Sequence, residues 1–350
     1  MLAVYAAYIE QLGPPDAIRF GELPAPQPGP TDVLVDVAAT VVNPVDTFVR
    51  SGLFRTPISF PFVIGRDLVG TVVSTDRSVF GFSVGDRVWC NSLGHQGRQG
   101  AAAEQAVVPV ERLYHLPDGV RSMDAVAMVH PAATAYLALF SHGRVRAGET
   151  IVVAGAAGNI GSALVVLATH AGVRVVATAS TRDAEYCREL GAADVIDYRD
   201  TAVWSRLSHA CPRGIDAYFD TSGVNDLANA VDLLAFRGRI VLLAGAKTRP
   251  VLPAGELYMK DGSVVGFVIS HATTAELAEA ANTINQLLAS GQLRPRNRHL
   301  LPLAEAAEAH RRMEKGELHG TRLVLRADSE HSPADQVSAP SSTSADLCSR

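Results

Sequence analysis

Residues 151–161 constrain this chain more than any other stretch. Four apolar residues, Ile151-Val152-Val153-Ala154, run straight into Gly155-Ala156-Ala157-Gly158-Asn159-Ile160-Gly161, and a helical pattern begins at once. A short run that is apolar at every position suits a strand covered on both faces, which implies a parallel sheet. Behind it Ile160, Leu164, Leu167, Ala168 and Ala171 share one helical face, and Gly172 supplies a stop. Strand, glycine turn and helix in that order are the context in which such a turn binds a dinucleotide. Gly158 would let the backbone approach a pyrophosphate, and Gly161 would let helix and strand pack closely. The helix N-terminus adds free N–H groups and a positive dipole end. Ala156 stands where the usual first glycine would be, with Gly155 one position earlier. The competing reading is a glycine turn that serves packing alone.

The pattern continues on both sides of this unit. Residues 174–179, 195–196, 217–219, 240–243 and 264–269 read as further buried strands with helical stretches between several of them. Strands and helices in alternation make a doubly wound parallel sheet of the Rossmann kind. The earlier part differs. Residues 32–42 alternate and then run apolar, residues 68–73 form a strand candidate broken by Gly70, and residues 85–89 read as a turn feeding a third strand. Many short strands and turns predict a barrel-like β domain there, with the change of character near residue 121. After the sheet, Thr273 and Glu276 have capping-box spacing and open a helix that stops at Gly291. A helix over 303–315 and a strand over 321–326 follow. Residues 327–350 are rich in Ser, Ala, Asp and Pro and read as a disordered tail.

The end of the second sheet strand bears on cofactor choice. NAD enzymes usually carry Asp or Glu there, about 20 residues past the turn, for the ribose 2′-OH. Here the stretch is Ala177-Thr178-Ala179-Ser180-Thr181-Arg182, with no acid before Asp183. Hydroxyls followed by arginine suit a 2′-phosphate, so NADP(H) is the expected cofactor, with Ser180, Thr181 and Arg182 as its ligands. Arg182 reads equally well as a solvated first-turn residue of the next helix.

Bulk properties exclude little but exclude it usefully. A formal charge of −5 gives no general attraction to nucleic acid or anionic membranes. No run of about 18 uninterrupted apolar residues is present, and the N-terminus lacks a signal-like pattern, so the cytoplasm is the expected location. The four cysteines, at 90, 187, 211 and 348, form no CxxC pair and no zinc-lobe spacing, and they read as reduced thiols.

Several separated motifs, in order, give the chain a resemblance over residues 3–326. They are the stretches at 22–29 (Glu22-Leu23-Pro24 onward), at 43–52 (Asn43-Pro44-Val45-Asp46 onward), and Gly85-Asp86-Arg87-Val88. The glycine turn, Glu189-Leu190-Gly191-Ala192 and Ala309-His310 complete the set. Together they resemble the medium-chain dehydrogenase/reductase superfamily, in its zinc-free quinone oxidoreductase (zeta-crystallin-like) branch. The resemblance implies a GroES-like catalytic domain over 1–122, a Rossmann domain over 123–268 and a return to the first domain over 269–326. It also implies a cleft active site and a homodimer formed through the sheet edge at 264–269.

Zinc alcohol dehydrogenases of this superfamily carry Gly-His-Glu, whose histidine binds the metal. The matching residues here are Gly65-Arg66-Asp67, and no cysteine stands near 43–46, so no zinc site is expected. Hydride transfer without zinc suits a quinone or an α,β-unsaturated carbonyl, with the protein supplying proximity and orientation. By resemblance, Asn43 lies beside nicotinamide and substrate, Thr134 contacts the nicotinamide, and Gly245 and Ala246 form a cofactor loop. Phe267 and Val268 meet the carboxamide, and Tyr198 and Arg199 lie near the adenosine phosphate. Phe48 stands where the family often has a tyrosine that orients or protonates substrate. Phenylalanine cannot donate a proton, so solvent, His95 or His130 become the candidates, each histidine reading equally as a structural residue. Two other functions fit the same motifs: an enoyl-thioester reductase of this superfamily, and a non-catalytic NADPH-binding protein, which the Phe48 departure keeps open.

Overall fold

The computed structural model describes residues 3–327, so the stretch 328–350, with Cys348 and nearly all of the expected tail, lies outside the described residues. The N-terminal part contains β1 (Ala3–Ile9), β2 (Ile18–Pro24), β3 (Asp32–Val41), α1 (Pro44–Ser51), β4 (Phe62–Val63) and β5 (Asp67–Thr75). It continues with β6 (Arg87–Cys90), β7 (Gln105–Pro109) and β8 (Tyr114–His115). β5 runs unbroken through Gly70, against the expectation of a break there. β3 carries the logic of the layer. Val33, Val35 and Val37 alternate inward, and then Ala39, Thr40 and Val41 are all buried because a helix covers their other face.

That helix, α2 (Ser122–Tyr136), continues as a π-helical stretch, Leu137–His142. The 21 residues Ser122–His142 are long and apolar enough to cross a membrane, but most of them are buried inside the protein. Alanines 125, 127, 132, 133 and 135 let α2 lie close to its neighbours on every side.

The second sheet is built from β9 (Thr150–Ala154), α3 (Asn159–His170), β10 (Arg174–Ala179), α4 (Ala184–Glu189) and β11 (Asp194–Asp197). Then come α5 (Val203–Ala210), β12 (Ile215–Asp220), α6 (Leu227–Leu233), β13 (Leu234–Leu242), α7 (Ala254–Met259) and β14 (Ser263–Gly266). All six strands are parallel, in the order β11-β10-β9-β12-β13-β14. This is the doubly wound arrangement, with its topological switch beside β9. The chain then forms α8 (Thr274–Ala289), β15 (Asn297–Pro302), α9 (Ala306–Glu314) and β16 (Thr321–Arg326). β16 pairs antiparallel with β3 and so rejoins the first sheet. The Thr273–Glu276 capping box is present at the start of α8.

Two expected boundaries move. The apolar run 264–269 leaves the sheet at Gly266, where the last register partner, Leu242, is used up. Residues 181–190 begin as a 3-10 turn, Thr181–Asp183, before α4. Cys90, Cys187 and Cys211 are buried free thiols.

Candidate active site

The glycine turn is shaped by contact distances. Gly155 has φ +79°, and a Cβ on it would meet Thr221 Oγ1 at 2.7 Å. A Cβ on Gly161 would lie 2.2 Å from Gly155 O, so the first turn of α3 presses directly on the loop that precedes it. Ala156 is buried and its N–H donates to Thr178 O, which ties the turn to β10. Ala157, Asn159 and Ile160 are half-buried, and Gly158 is exposed at the apex. The α3 N-terminus therefore faces outward with room for an anion, and these residues fit a dinucleotide pyrophosphate.

At the end of β10 the structure gathers several expected ligands and adds one that the strand-by-strand reading missed. Thr181 N–H and Oγ1 both donate to the Asp197 carboxylate, which arrives from the end of the adjacent strand β11. An acid therefore does stand at this corner, although β10 itself carries none. The Arg199 guanidinium lies 5.3 Å from the Tyr198 ring centroid, and both residues are exposed. Arg182 is exposed too. Ser180 is buried and donates to Asp183 Oδ2, while Arg296 and His319 donate to Asp183 Oδ1 at 2.7 and 3.0 Å. Burial works against ionisation of Asp183, but these hydrogen bonds outweigh it and hold the carboxyl below the usual range.

Toward the cleft, Thr134 is buried on α2 with its hydroxyl donating to His130 O at 2.9 Å. Gly245, at φ +90°, and exposed Ala246 follow β13, beside a depression of about 460 Å³ bordered by Val224, Asn225, Thr248 and Val251. Phe267 and Val268 lie just past the end of β14. The Phe267 ring stacks on His142 at 4.2 Å, and Val268 is exposed.

The barrel side holds a buried polar network. Asn43 donates from Nδ2 to Asp67 Oδ2 at 2.8 Å and accepts at Oδ1 from Arg322 Nη2 at 2.7 Å. Both ends of its amide are thus committed to the buried network, which ties the start of α1 to β5 and β16. Arg322 also donates from Nε to Ala127 O at 2.9 Å. The cause is local to α2: Pro131 has no N–H, so the carbonyl four residues earlier needs another donor. Asp67 Oδ1 faces His130 Nδ1 at 3.0 Å. Asp46 accepts from the Asn43 N–H at 2.7 Å, and burial, reinforced by Asp67, pushes its carboxyl up to about 7. Phe48, half-buried on α1, accepts at its carbonyl from the Phe54 N–H.

His95 corrects an expectation. As a candidate proton donor it would need a charged ring near neutrality, but the residue is buried, and desolvation followed by the Arg66 charge brings it down to about 4. Its ring is therefore neutral near pH 7 and is not an imidazolium acid. His130 is likewise tied to Asp67 by one ring nitrogen. Arg66 had no assigned role from sequence, yet it is 2% exposed and donates from Nη2 to Ser270 Oγ at 2.6 Å, joining the barrel to the segment that leaves β14. Ala309-His310 proves to be a packing motif. Arg50 reaches Gly13 O, Glu314 and His310 Nδ1, fastening α9 to α1.

The donor set does not fit a zinc ion. Arg66 brings a cation, Asp67 is occupied by Asn43 and His130, and no group of three or more His, Cys, Asp or Glu converges among the described residues.

Comparison with known proteins gives two family matches. Residues 29–118 match the alcohol dehydrogenase GroES-like domain, and residues 159–286 match the zinc-binding dehydrogenase family. A quinone oxidoreductase of Pseudomonas aeruginosa is 30% identical over 336 residues, covering 92% of this chain and 98% of its own. A mycobacterial protein solved in complex with NADPH superposes with TM-score 0.79 at 30% identity, over 92% of this chain and 99% of that one. A structure described as an NAD-dependent alcohol dehydrogenase superposes with TM-score 0.82 at 27% identity, over 92% and 99%.

Proposed function

The chain belongs to the quinone oxidoreductase family of the medium-chain dehydrogenase/reductases, and from that premise we propose that it is an NADPH-dependent reductase of quinones or α,β-unsaturated carbonyls that works without zinc. The observation that carries the reading is Arg66, a buried arginine at the residue where a metal-binding histidine would be required. Bound NADPH would supply the hydride. The glycine turn and the α3 N-terminus hold the pyrophosphate. Thr181, Arg182, Tyr198 and Arg199 hold the 2′-phosphate, the two arginines outweighing the charge of Asp197, which is already bound to Thr181. Thr134, Gly245, Ala246, Phe267 and Val268 bound the nicotinamide, and Phe48 offers an apolar wall to the acceptor. Asn43 sets that wall through Asp67 and Arg322. With phenylalanine at position 48 and His95 kept neutral by its burial, solvent supplies the proton.

Two organisational points accompany this reading. Residues 1–122 with 269–326 act as the catalytic domain, and residues 123–268 as the cofactor domain. A homodimer through β14 is supported by that strand pairing only with β13 among the described residues and by exposed Tyr258 and Met259 nearby.

The test is oxidation of NADPH with phenanthrenequinone, benzoquinone and simple enones before and after treatment with a metal chelator. Turnover that survives chelation agrees with the proposal. Activity that disappears on chelation and returns with zinc overturns it.

A further inference from the structure

Arg66 carries five N–H donors in a buried position, and only Nη2 has a partner. Nε and Nη1 have none among the described residues. Neither acid that acts on its charge is hydrogen-bonded to it among the described residues: Asp46 accepts at Oδ2 from the Asn43 N–H, with Oδ1 unpartnered, and Asp67 is held by Asn43 and His130. A buried guanidinium with unmet donors costs stability unless a partner arrives to meet them. A second, independent observation lies beside it. His95 is 6% exposed and neither of its ring nitrogens has a partner among the described residues. The Phe54 ring stands 5.7 Å from His95 and 5.8 Å from His271, forming an aromatic plate at the same place. Ser270 and His271 come from the segment that follows Phe267 and Val268, so this cluster adjoins residues assigned above to the nicotinamide.

We propose that Arg66 is the oxyanion-receiving group of the site, taking the carbonyl oxygen of a flat conjugated acceptor whose π-face rests on Phe54. The proposal rests on the reductase reading and gives it a substrate geometry. When hydride reaches the β-carbon of an enone, the C=C π pair shifts to make an enolate and the charge collects on oxygen. The dihydronicotinamide that gave the hydride is oxidised. Nε–H and Nη1–H of Arg66 donate hydrogen bonds to that oxygen without giving up a proton, and His95 donates one more from its neutral ring. Water then protonates the enolate. Because the donors are fixed before the charge appears, they favour the charged state over the neutral carbonyl. Arginine suits this task, since its charge persists on burial.

The experiment uses 4-nitrophenol as a probe, because its anion resembles a delocalised enolate. The full chain loaded with NADP⁺ is titrated with the probe across a pH series, and the yellow phenolate band reports the bound form. The expected result is at least about a tenfold preference for phenolate over phenol, read as a fall of about one unit in the bound probe's pKa. Arg66→Met should abolish the preference while leaving NADPH affinity within about twofold, and Arg66→Lys should restore part of it. Absence of a shift in the wild-type protein, whether through no binding or unchanged ionisation, overturns the proposal, as does a shift that survives in Arg66→Met. If the shift is present but no quinone or enone is reduced, the oxyanion site stands and the reductase reading falls.

Discussion

Substituting alanine at Gly161 and at Gly158 separates packing from cofactor contact within one turn. Alanine inside a helix is favoured over glycine by about 1 kcal/mol, so propensity alone predicts that Gly161→Ala stabilises. The geometry reverses the sign. A Cβ at 161 would lie 2.2 Å from Gly155 O and 2.8 Å from Ala156 Cα. Non-bonded carbon contacts settle near about 3.5–4.0 Å, so α3 must retreat by about 1 Å from a loop with little freedom. Overpacking of this kind costs about 1–3 kcal/mol, and backbone meeting backbone sits at the upper end. After the helical gain, a net loss of about 2 kcal/mol is expected, which lowers Tm by about 4–8 °C for a domain of this size. Gly158 is different: its φ is −73°, and its Cβ would meet only Gly155 O, at 3.2 Å. Gly158→Ala should melt within about 2 °C of the wild type, yet its methyl stands where the pyrophosphate approaches. NADPH should bind at least about tenfold more weakly, or about 1.4 kcal/mol. Thermal melts and fluorescence titration with NADPH measure both quantities. If Gly158→Ala melts as low as Gly161→Ala, or binds NADPH as the wild type does, the assignment of roles within the turn is wrong.

Other outcomes can be stated with their signs. Asp46 is raised in the folded state, so its favourable contribution is present below its unfolded value and is lost as pH rises through about 7. Asp46→Asn, which keeps an acceptor for the Asn43 N–H, should match the wild type near pH 4 and exceed it by a few kcal/mol above about pH 8 in urea denaturation; a constant difference would refute the buried-acid account. His310 is lowered to about 3 by burial and the Arg50 charge, so its contribution is present above the ordinary histidine value and is lost as pH falls from there toward about 3. His310→Gln should flatten the acid limb of the stability profile over that window, and an unchanged limb would contradict it. Arg182→Ala and Arg199→Ala should each weaken NADPH by about tenfold while changing NADH little, as expected for loss of a charge-assisted phosphate contact; equal effects on both cofactors would place these arginines elsewhere.

The sheet was legible because its signals are local. Apolar runs, the glycine turn and the helical face behind it lie within a few residues of one another, and handedness rules supply the strand order. The buried network was not legible, because Asn43, Asp67, His130 and Arg322 are distant in sequence and meet only when β16 returns to β3. Asp197 is not legible from β10 alone, because only the parallel register sets it beside Ala179. The end of β14 was misread because hydrophobicity continues through Ile269 after the hydrogen-bonding partner has ended. His95 shows the same limit: sequence allows a proton donor or a structural residue, and only the fold reveals that it is buried beside Arg66.

The helix α2 sets a limit on modularity. Its residues pack against β3 and β5 of the first sheet, against α3 beside the parallel sheet and against α8 from the C-terminal stretch, and the carbonyl freed by Pro131 is claimed by an arginine from the last strand. Cutting the chain at either end of this helix would leave one half with a bare apolar face and the other without its wall. The two sheets are therefore not interchangeable parts, and a hybrid that exchanges only the parallel sheet and its helices must carry a matched α2 and a matched final strand with it.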